Sequence, residues 1–196
     1  MNRTNKKFSQ KTTKRTASTS GSTDRAFNQE QAWHTSALGM LGYAVAGLIS
    51  GIGLGLVLKL IQALSGHRVY RLLLNADYVP VLKEFSLSEG AEFGIHLVIS
   101  VVLCVVLGLL WQYQFRRSPY SPKKMVGVTA GIGFVIGLLL YPTTLLSSGG
   151  TPPIASLPAW SWWLLIHAAY GAVSGLLIGG VFRIRLKRTR SVKSQG

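Results

Sequence analysis

The chain has 196 residues, of which 48% are apolar and only 14% are charged, and its formal net charge is +15. A charged fraction this low is atypical of a soluble domain, and a balance this basic leaves two partners open, nucleic acid or anionic lipid. None of the 21 Lys and Arg residues lies inside a long apolar run. Because they crowd the tails and loops beside those runs, we expect a membrane protein and no nucleic-acid partner.

The two ends of the chain are basic and polar. Residues 1–32 carry Lys6, Lys7 and Lys11 among Ser, Thr, Asn and Gln. Apolar residues are too few there to offset chain entropy, so a disordered basic tail is predicted. Residues 184–196 form a second basic tail. We expect both tails to be cytoplasmic and to attract anionic lipid head groups of the bilayer.

Four apolar segments occupy the intervening residues 33–183, and none of them contains Asp, Glu, Lys or Arg. At ~1.5 Å per residue, about 20 such residues cross a hydrocarbon core of ~30 Å. The predicted fold is therefore an all-α, integral membrane four-helix bundle. The predicted helices cover about residues 37–58, 93–113, 125–141 and 160–182.

Local signals place several helix ends. Ser121 followed by Pro122 reads as the N-cap and the first helical position of the third helix. Ser86 and Glu89 have capping-box spacing just before the second helix. Pro142 should end the third helix, because proline cannot continue one.

The distribution of basic residues predicts the orientation. The amino tail, the loop between the second and third segments, and the carboxyl tail carry 17 Lys and Arg residues, whereas the other two loops carry four. The positive-inside rule then places both termini in the cytoplasm of a multi-pass protein of the cell membrane. The first outer loop is long for an unstructured connection. Its apolar stretch at residues 69–82 predicts a short helix lying on the outer interface.

Glycine recurs at every fourth position within the apolar segments. Such stripes let a neighbouring helix approach closely, which matters in lipid because the hydrophobic effect there does little to hold helices together. The packing glycines predicted are Gly47, Gly51, Gly55, Gly127, Gly131, Gly171, Gly175 and Gly179, with Gly133 and Gly137 as a further pair. The interpretation favoured is packing within one chain, and a homo-oligomer interface is the alternative.

The four segments also predict an internal repeat. Ile95-His96 and Ile166-His167 are each followed by small residues at the same offsets, and Gly-Ile-Gly occurs at residues 51–53 and 131–133. This pattern suggests two parallel helical hairpins related by an axis along the membrane normal.

Four residues form the one candidate polar site inside the membrane. His96 and His167 stand out within apolar helices, Glu92 lies four residues before the first, and Tyr170 lies three residues after the second. Such a cluster suits proton relay, metal binding or a polar substrate, whereas a histidine that simply hydrogen-bonds to a neighbouring helix is the more frequent case.

No catalytic motif accompanies these residues. The sequence has neither HExxH nor CxxC, and it has no phosphate-binding glycine loop. We therefore predict no enzyme activity, no catalytic residues, no metal site and no cofactor. The single cysteine, Cys104, is interpreted as a packing residue.

Two stretches carry a resemblance to a known group. The chain has Tyr70-Arg71-Leu72-Leu73-Leu74 in the first outer loop, and residues 162–179 of the last helix contain Tyr170-Gly171-Ala172-Val173. In these features it resembles the uncharacterised YqhR-type four-helix membrane proteins of Bacillus-like bacteria, and it departs from them in its long basic tails. The resemblance implies a bacterial membrane protein of this topology and implies no activity.

Three functions compete on this basis. The first is a non-enzymatic subunit, regulator or envelope factor that works through a membrane-protein partner, and it is favoured by the small soluble mass and the lack of catalytic groups. The second is a small oligomeric transporter or channel, suggested by the glycine stripes and the histidines. The third, a membrane enzyme or metal binder, has the least support.

Overall fold

Long apolar runs must fold as helices in lipid, because no water is present there to pair with free backbone groups. A computed structural model describes residues 37–75, 87–115, 121–148 and 150–193, with side chains to residue 185. It contains five α-helices and a short 3-10 helix. In chain order they are α1 (Ala37–Ser65), α2 (Val69–Leu74), α3 (Glu89–Phe115), α4 (Pro122–Leu140), the 3-10 helix (Tyr141–Leu146) and α5 (Leu157–Lys193).

Four of these helices confirm the predicted membrane architecture. The segments Ala37–Ser65, Glu89–Phe115, Pro122–Leu146 and Leu157–Arg185 are each long and apolar enough to cross a membrane. Many large apolar side chains on them are exposed, such as Leu139 at 69% and Leu176 at 60%. Such a surface is suited to lipid and not to water. The chain is therefore an all-α, multi-pass membrane protein.

The four long helices form two antiparallel hairpins, α1 with α3 and α4 with α5. Both hairpins of the predicted repeat are thus present. They contact each other mainly along α1 and α5, while α3 and α4 stay apart. Below, the end of the bundle that carries α2 is called the α2 end, and the other is called the opposite end.

The glycine stripe of α1 packs against α3. A side-chain carbon added at Gly47 would lie 2.7 Å from the Ser100 carbonyl oxygen, and one added at Gly51 would lie 2.8 Å from the Ser100 side chain. At Gly55 the obstructing group is the Phe93 ring. These three glycines therefore serve the predicted role of letting two helices touch.

The second hairpin uses only one of the two glycine pairs predicted in α4. Gly171 and Gly175 of α5 face Thr129 of α4, as predicted for packing residues, and Gly133 and Gly137 of α4 face His167 of α5. An added side-chain carbon at Gly127 or Gly131 would meet none of the described residues within 4 Å.

The packing role predicted for Gly127 and Gly131 within the chain is therefore wrong. The buried face of α4 follows Met125, Thr129 and Gly133, and a shift of two residues turns a side chain to the far side of a helix. Gly179 is buried, as expected for a packing residue.

Two of the predicted helix-end signals are confirmed. The Ser121 side chain accepts a hydrogen bond from the Lys124 N–H as an N-cap, and α4 ends at Leu140, directly before the 3-10 helix that contains Pro142. The predicted capping box involves Ser86, which lies outside the described residues, so that prediction stays open. Beside it, the Ser88 hydroxyl accepts the Ala91 N–H, and Glu89 bonds to Lys59 and Tyr70 on other helices.

The last helix is longer than predicted. It continues through Lys193, so most of the predicted carboxyl tail is helical. Residues 183–193 contain neither Gly nor Pro, so no residue interrupts the helix. At ~1.5 Å per residue, the 37 residues of α5 extend about 55 Å, well beyond a ~30 Å hydrocarbon core. The predicted amino-terminal tail, residues 1–32, lies outside the described residues.

The predicted short helix exists, but it packs on the protein instead of lying free on the interface. In α2, Val69, Leu72 and Leu74 are buried among apolar residues of the long helices. The Tyr70 hydroxyl donates to Glu89, which also pairs with Lys59 at 2.7 Å. Burial, together with the Glu89 carboxylate, raises the pKa of Tyr70, so its hydroxyl keeps the proton that it donates. The second apolar part of that loop, residues 78–82, lies outside the described residues.

Candidate functional site

A cavity of about 140 Å³ lies inside the bundle toward the α2 end. Its walls come from all four long helices, from α2 and from the 3-10 helix. All four predicted site residues, Glu92, His96, His167 and Tyr170, line it. The two hairpins therefore bring together residues that the sequence separates by up to 78 positions.

His96 carries an unfilled hydrogen-bonding position in this cavity. Its Nε2 atom is buried and has no hydrogen-bond partner among the described residues. Leaving a buried ring nitrogen unpaired costs about 1–3 kcal/mol, whether it carries the proton or the lone pair.

His167 is fixed more firmly than His96. It is only 3% exposed, and its Nδ1 lies 2.9 Å from the Trp163 carbonyl oxygen. A carbonyl can only accept, so Nδ1 donates and Nε2 is the acceptor in the neutral ring. The Trp163 ring lies 4.2 Å from the imidazole, and the Trp163 N–H donates to the Gly137 carbonyl. The two histidines are close enough to influence each other electrostatically.

Tyr170 belongs to a hydrogen-bonded chain that joins three helices. The Ser100 hydroxyl donates to the Gly47 carbonyl at 2.7 Å, so the Tyr170 hydroxyl must donate to Ser100 across 2.8 Å. Ser50 and Cys104 lie 3.8 Å apart in the same region. This chain links α1, α3 and α5 in the bundle interior, where such bonds hold helices together in lipid. Tyr170 thus has a packing role as well as a place in the cavity wall.

The α2 end of the cavity is covered. The Asn75 side chain donates a hydrogen bond to the Thr143 carbonyl at 3.4 Å, which joins the end of α2 to the 3-10 helix. Leu72, Leu73 and Leu74 of α2 form part of the wall beneath it. Glu92 lies one helical turn from His96 on the side nearer the α2 end.

The opposite half of the bundle contains a second buried cluster. Tyr43, Trp111, Met125 and Phe182 are buried there in one cluster with the Cys104 side chain. The Phe182 ring lies 5.8 Å from that of Tyr43. At the edge of the cluster, Arg185 donates to the Tyr43 hydroxyl and to the Gln112 side-chain oxygen at 3.4 Å each. The cavity therefore ends blindly against packed side chains.

The chemistry of the lining limits what it can hold. Within the described part of the chain, no group of three or more His, Cys, Asp or Glu side chains is placed to hold a metal ion. None of the described lining residues is Lys or Arg. The cavity thus offers imidazole nitrogens, hydroxyls and one carboxylate within mostly apolar walls.

Four lining residues are not singled out by the sequence. Ser100 is one of the small residues that follow His96, and Asn75 and Thr143 lie outside the apolar segments. Trp163 lines the cavity too, and its carbonyl holds His167 in place. A periodic polar signal at Ser100, His96 and Glu92, all spaced by four, could have identified the α3 face.

Comparisons with protein families, with curated proteins and with solved structures find no match for this chain. The resemblance to the YqhR-type proteins therefore stays a prediction. The class that the fold defines is a multi-pass, four-helix membrane protein with a blind internal cavity.

Proposed function

We propose that this protein is a non-enzymatic subunit, regulator or envelope factor of a bacterial cell membrane, of the YqhR type, and that it works by binding partners. The observation that carries the proposal is the buried cluster in the opposite half of the bundle. The packed rings of Tyr43, Trp111 and Phe182 argue against a continuous path for a solute past the cavity. Together with the lack of a catalytic motif in the sequence, this packing supports a protein that acts through what it binds.

The proposal includes both termini in the cytoplasm. Two observations support this orientation. Lys and Arg are concentrated in the two tails and in the loop between the second and third membrane segments, and the extended carboxyl-terminal part of α5 is basic. Basic segments beside a membrane are attracted to anionic lipid at about 1 kcal/mol per residue near the surface. In this orientation the α2 end faces outward.

Orientation can be tested with single cysteines in a Cys104→Ala background. We expect a membrane-impermeant maleimide on intact cells to label Ser65→Cys, an exposed position at the α2 end. Ser9→Cys in the amino tail should react only after the membrane is opened. Labelling of both positions on intact cells would refute the proposed topology.

The binding role is tested by purification and by flux. A tagged chain isolated in mild detergent should return a membrane-protein partner in fixed stoichiometry. The same chain in proteoliposomes should pass protons and monovalent cations no faster than protein-free vesicles. Purification of the chain alone as a species with its own transport or catalytic activity would refute the proposal.

A small oligomeric transporter is the second candidate, and the two histidines on the cavity wall favour it. Transport would require the packed cluster to open in another state. Its signature would be a saturable flux that His96→Ala and His167→Ala reduce, and that a matched His67→Ala outside the cavity leaves unchanged.

A further inference from the structure

We propose that the cavity binds the hydroxyl head group of an uncharged membrane amphiphile, which enters sideways between α3 and α4 and forms hydrogen bonds with the Nε2 atoms of the histidine pair. This ligand site goes beyond the proposed function and does not depend on it, because a subunit and a transporter can each hold a lipid-derived ligand. The argument has three steps: the route of entry, the chemistry of the head group, and its size.

The route of entry follows from which helices touch. The α2 end of the cavity is covered by α2 and by the Asn75–Thr143 hydrogen bond, and the opposite end is closed by the packed cluster. The remaining side is the line where α3 and α4 scarcely meet. Ile99 of α3 lines the cavity and is also 50% exposed, so on this side a single side chain reaches from the cavity to the outer surface of the bundle. In a membrane protein this side faces hydrocarbon, so the ligand must be soluble in lipid.

The chemistry of the head group follows from the polar atoms inside. Nε2 of His96 is buried without a partner among the described residues, and Nε2 of His167 is an acceptor because its Nδ1 donates to the Trp163 carbonyl. A hydroxyl can donate to His167 and can either donate to or accept from His96, whereas an ether or ester cannot donate at all. The absence of Lys and Arg from the described lining disfavours an anionic head group, because its charge would be buried unpaired. The two rings therefore fit an uncharged hydroxyl group.

The size of the cavity limits how much of the ligand it encloses. A cavity of about 140 Å³ is close to one of ~150 Å³ that holds a single benzene molecule. It therefore accepts a head group of a few heavy atoms, and the chain must remain between the helices. Ile95, Ile136 and Leu140 border that gap and provide apolar contact for the chain.

The site can be tested with photoreactive amphiphiles in phosphatidylcholine nanodiscs. Three probes share one alkyl chain and a diazirine near the head: a long-chain alcohol, its methyl ether, and the corresponding fatty acid. Crosslinked peptides are identified by mass spectrometry on the full chain. We expect the alcohol to label the cavity-lining parts of α3 and α5 about fivefold more than either the ether or the acid, the change expected for one buried hydrogen bond.

Two pairs of matched variants separate the head-group contact from the route of entry. His96→Phe keeps a ring beside Phe93 but removes the hydrogen-bonding nitrogen, and it should lower alcohol labelling to the level of the ether. His67→Phe is its control outside the cavity. Ile99→Trp should obstruct the opening and lower labelling by all probes, whereas Val98→Trp on the exposed neighbouring face should not.

Three outcomes would overturn the site. Equal labelling by alcohol and ether means that no donor is recognised. Preferential labelling by the acid means that the head group is anionic. Absence of cavity labelling by any probe means that the cavity admits no amphiphile. The comparison among probes uses the unaltered chain, so it decides the matter even if a variant fails to fold. A partner found by purification would leave this result unaffected, and so would its absence.

Discussion

Two glycines on one helix should respond in opposite directions to the same substitution. Gly131 and Gly133 both lie within α4, yet only Gly133 contacts α5. The groups that an added methyl would meet at Gly133 are backbone atoms, the His167 carbonyl and the Gly171 N–H, and these cannot move aside as a flexible side chain can. The difference in the free energy of unfolding between Gly131→Ala and Gly133→Ala therefore measures the cost of pushing α4 and α5 apart.

The magnitude follows from two contributions. Replacing glycine by alanine inside a helix stabilises it by up to about 1 kcal/mol, and this gain is common to both positions. Overpacking costs about 1–3 kcal/mol, and it applies only to Gly133. We therefore expect Gly131→Ala to raise the free energy of unfolding slightly, and Gly133→Ala to lie about 1–3 kcal/mol below it.

The assay is reversible unfolding of the purified chain in mixed detergent micelles, followed by circular dichroism, with molecular mass measured in parallel. A difference under about 0.5 kcal/mol, or the reverse order, would refute the contact assigned to Gly133, given the overpacking cost expected there. If Gly131→Ala instead destabilised the protein and reduced its mass, the face of Gly131 would be an interface between copies of the chain.

Three further outcomes are expected. In a double-mutant cycle on the free energy of unfolding, Tyr170→Phe and Ser100→Ala should couple by about 0.6–1.7 kcal/mol, as measured for hydrogen bonds between membrane helices. If the effects of the two substitutions simply add, the 2.8 Å bond between these hydroxyls is contradicted. The side chains of Lys59 and Glu89 are 58% and 49% exposed, so Lys59→Met should leave stability nearly unchanged despite the short contact. A clear loss of stability in unfolding titrations would mean that the pair is shielded from water. Cys104 is fully buried, so a thiol reagent should modify it only when the chain unfolds, and rapid modification of the folded protein would contradict the packed cluster.

The sequence predicts which residues belong to the candidate site, but it does not predict how their side chains are bonded. Glu92, His96, His167 and Tyr170 were identifiable because polar side chains are conspicuous in apolar segments, where each is expensive to bury. That Tyr170 is bonded to Ser100, and that His96 lacks a partner for Nε2, depends on atoms brought together from separate helices. Local sequence carries no information about such pairs.

By itself, the sequence determined the number and position of the membrane helices, because backbone groups in lipid must be paired within each segment and ionised side chains are excluded from it. It also determined the N-cap at Ser121, which is a local contact. Only the tertiary structure decided that Gly133, and not Gly131, meets a neighbouring helix, and that α3 and α4 leave a gap. The reason is geometric: which face of a helix is buried depends on where its neighbours lie, and repeating patterns of small residues leave more than one face available.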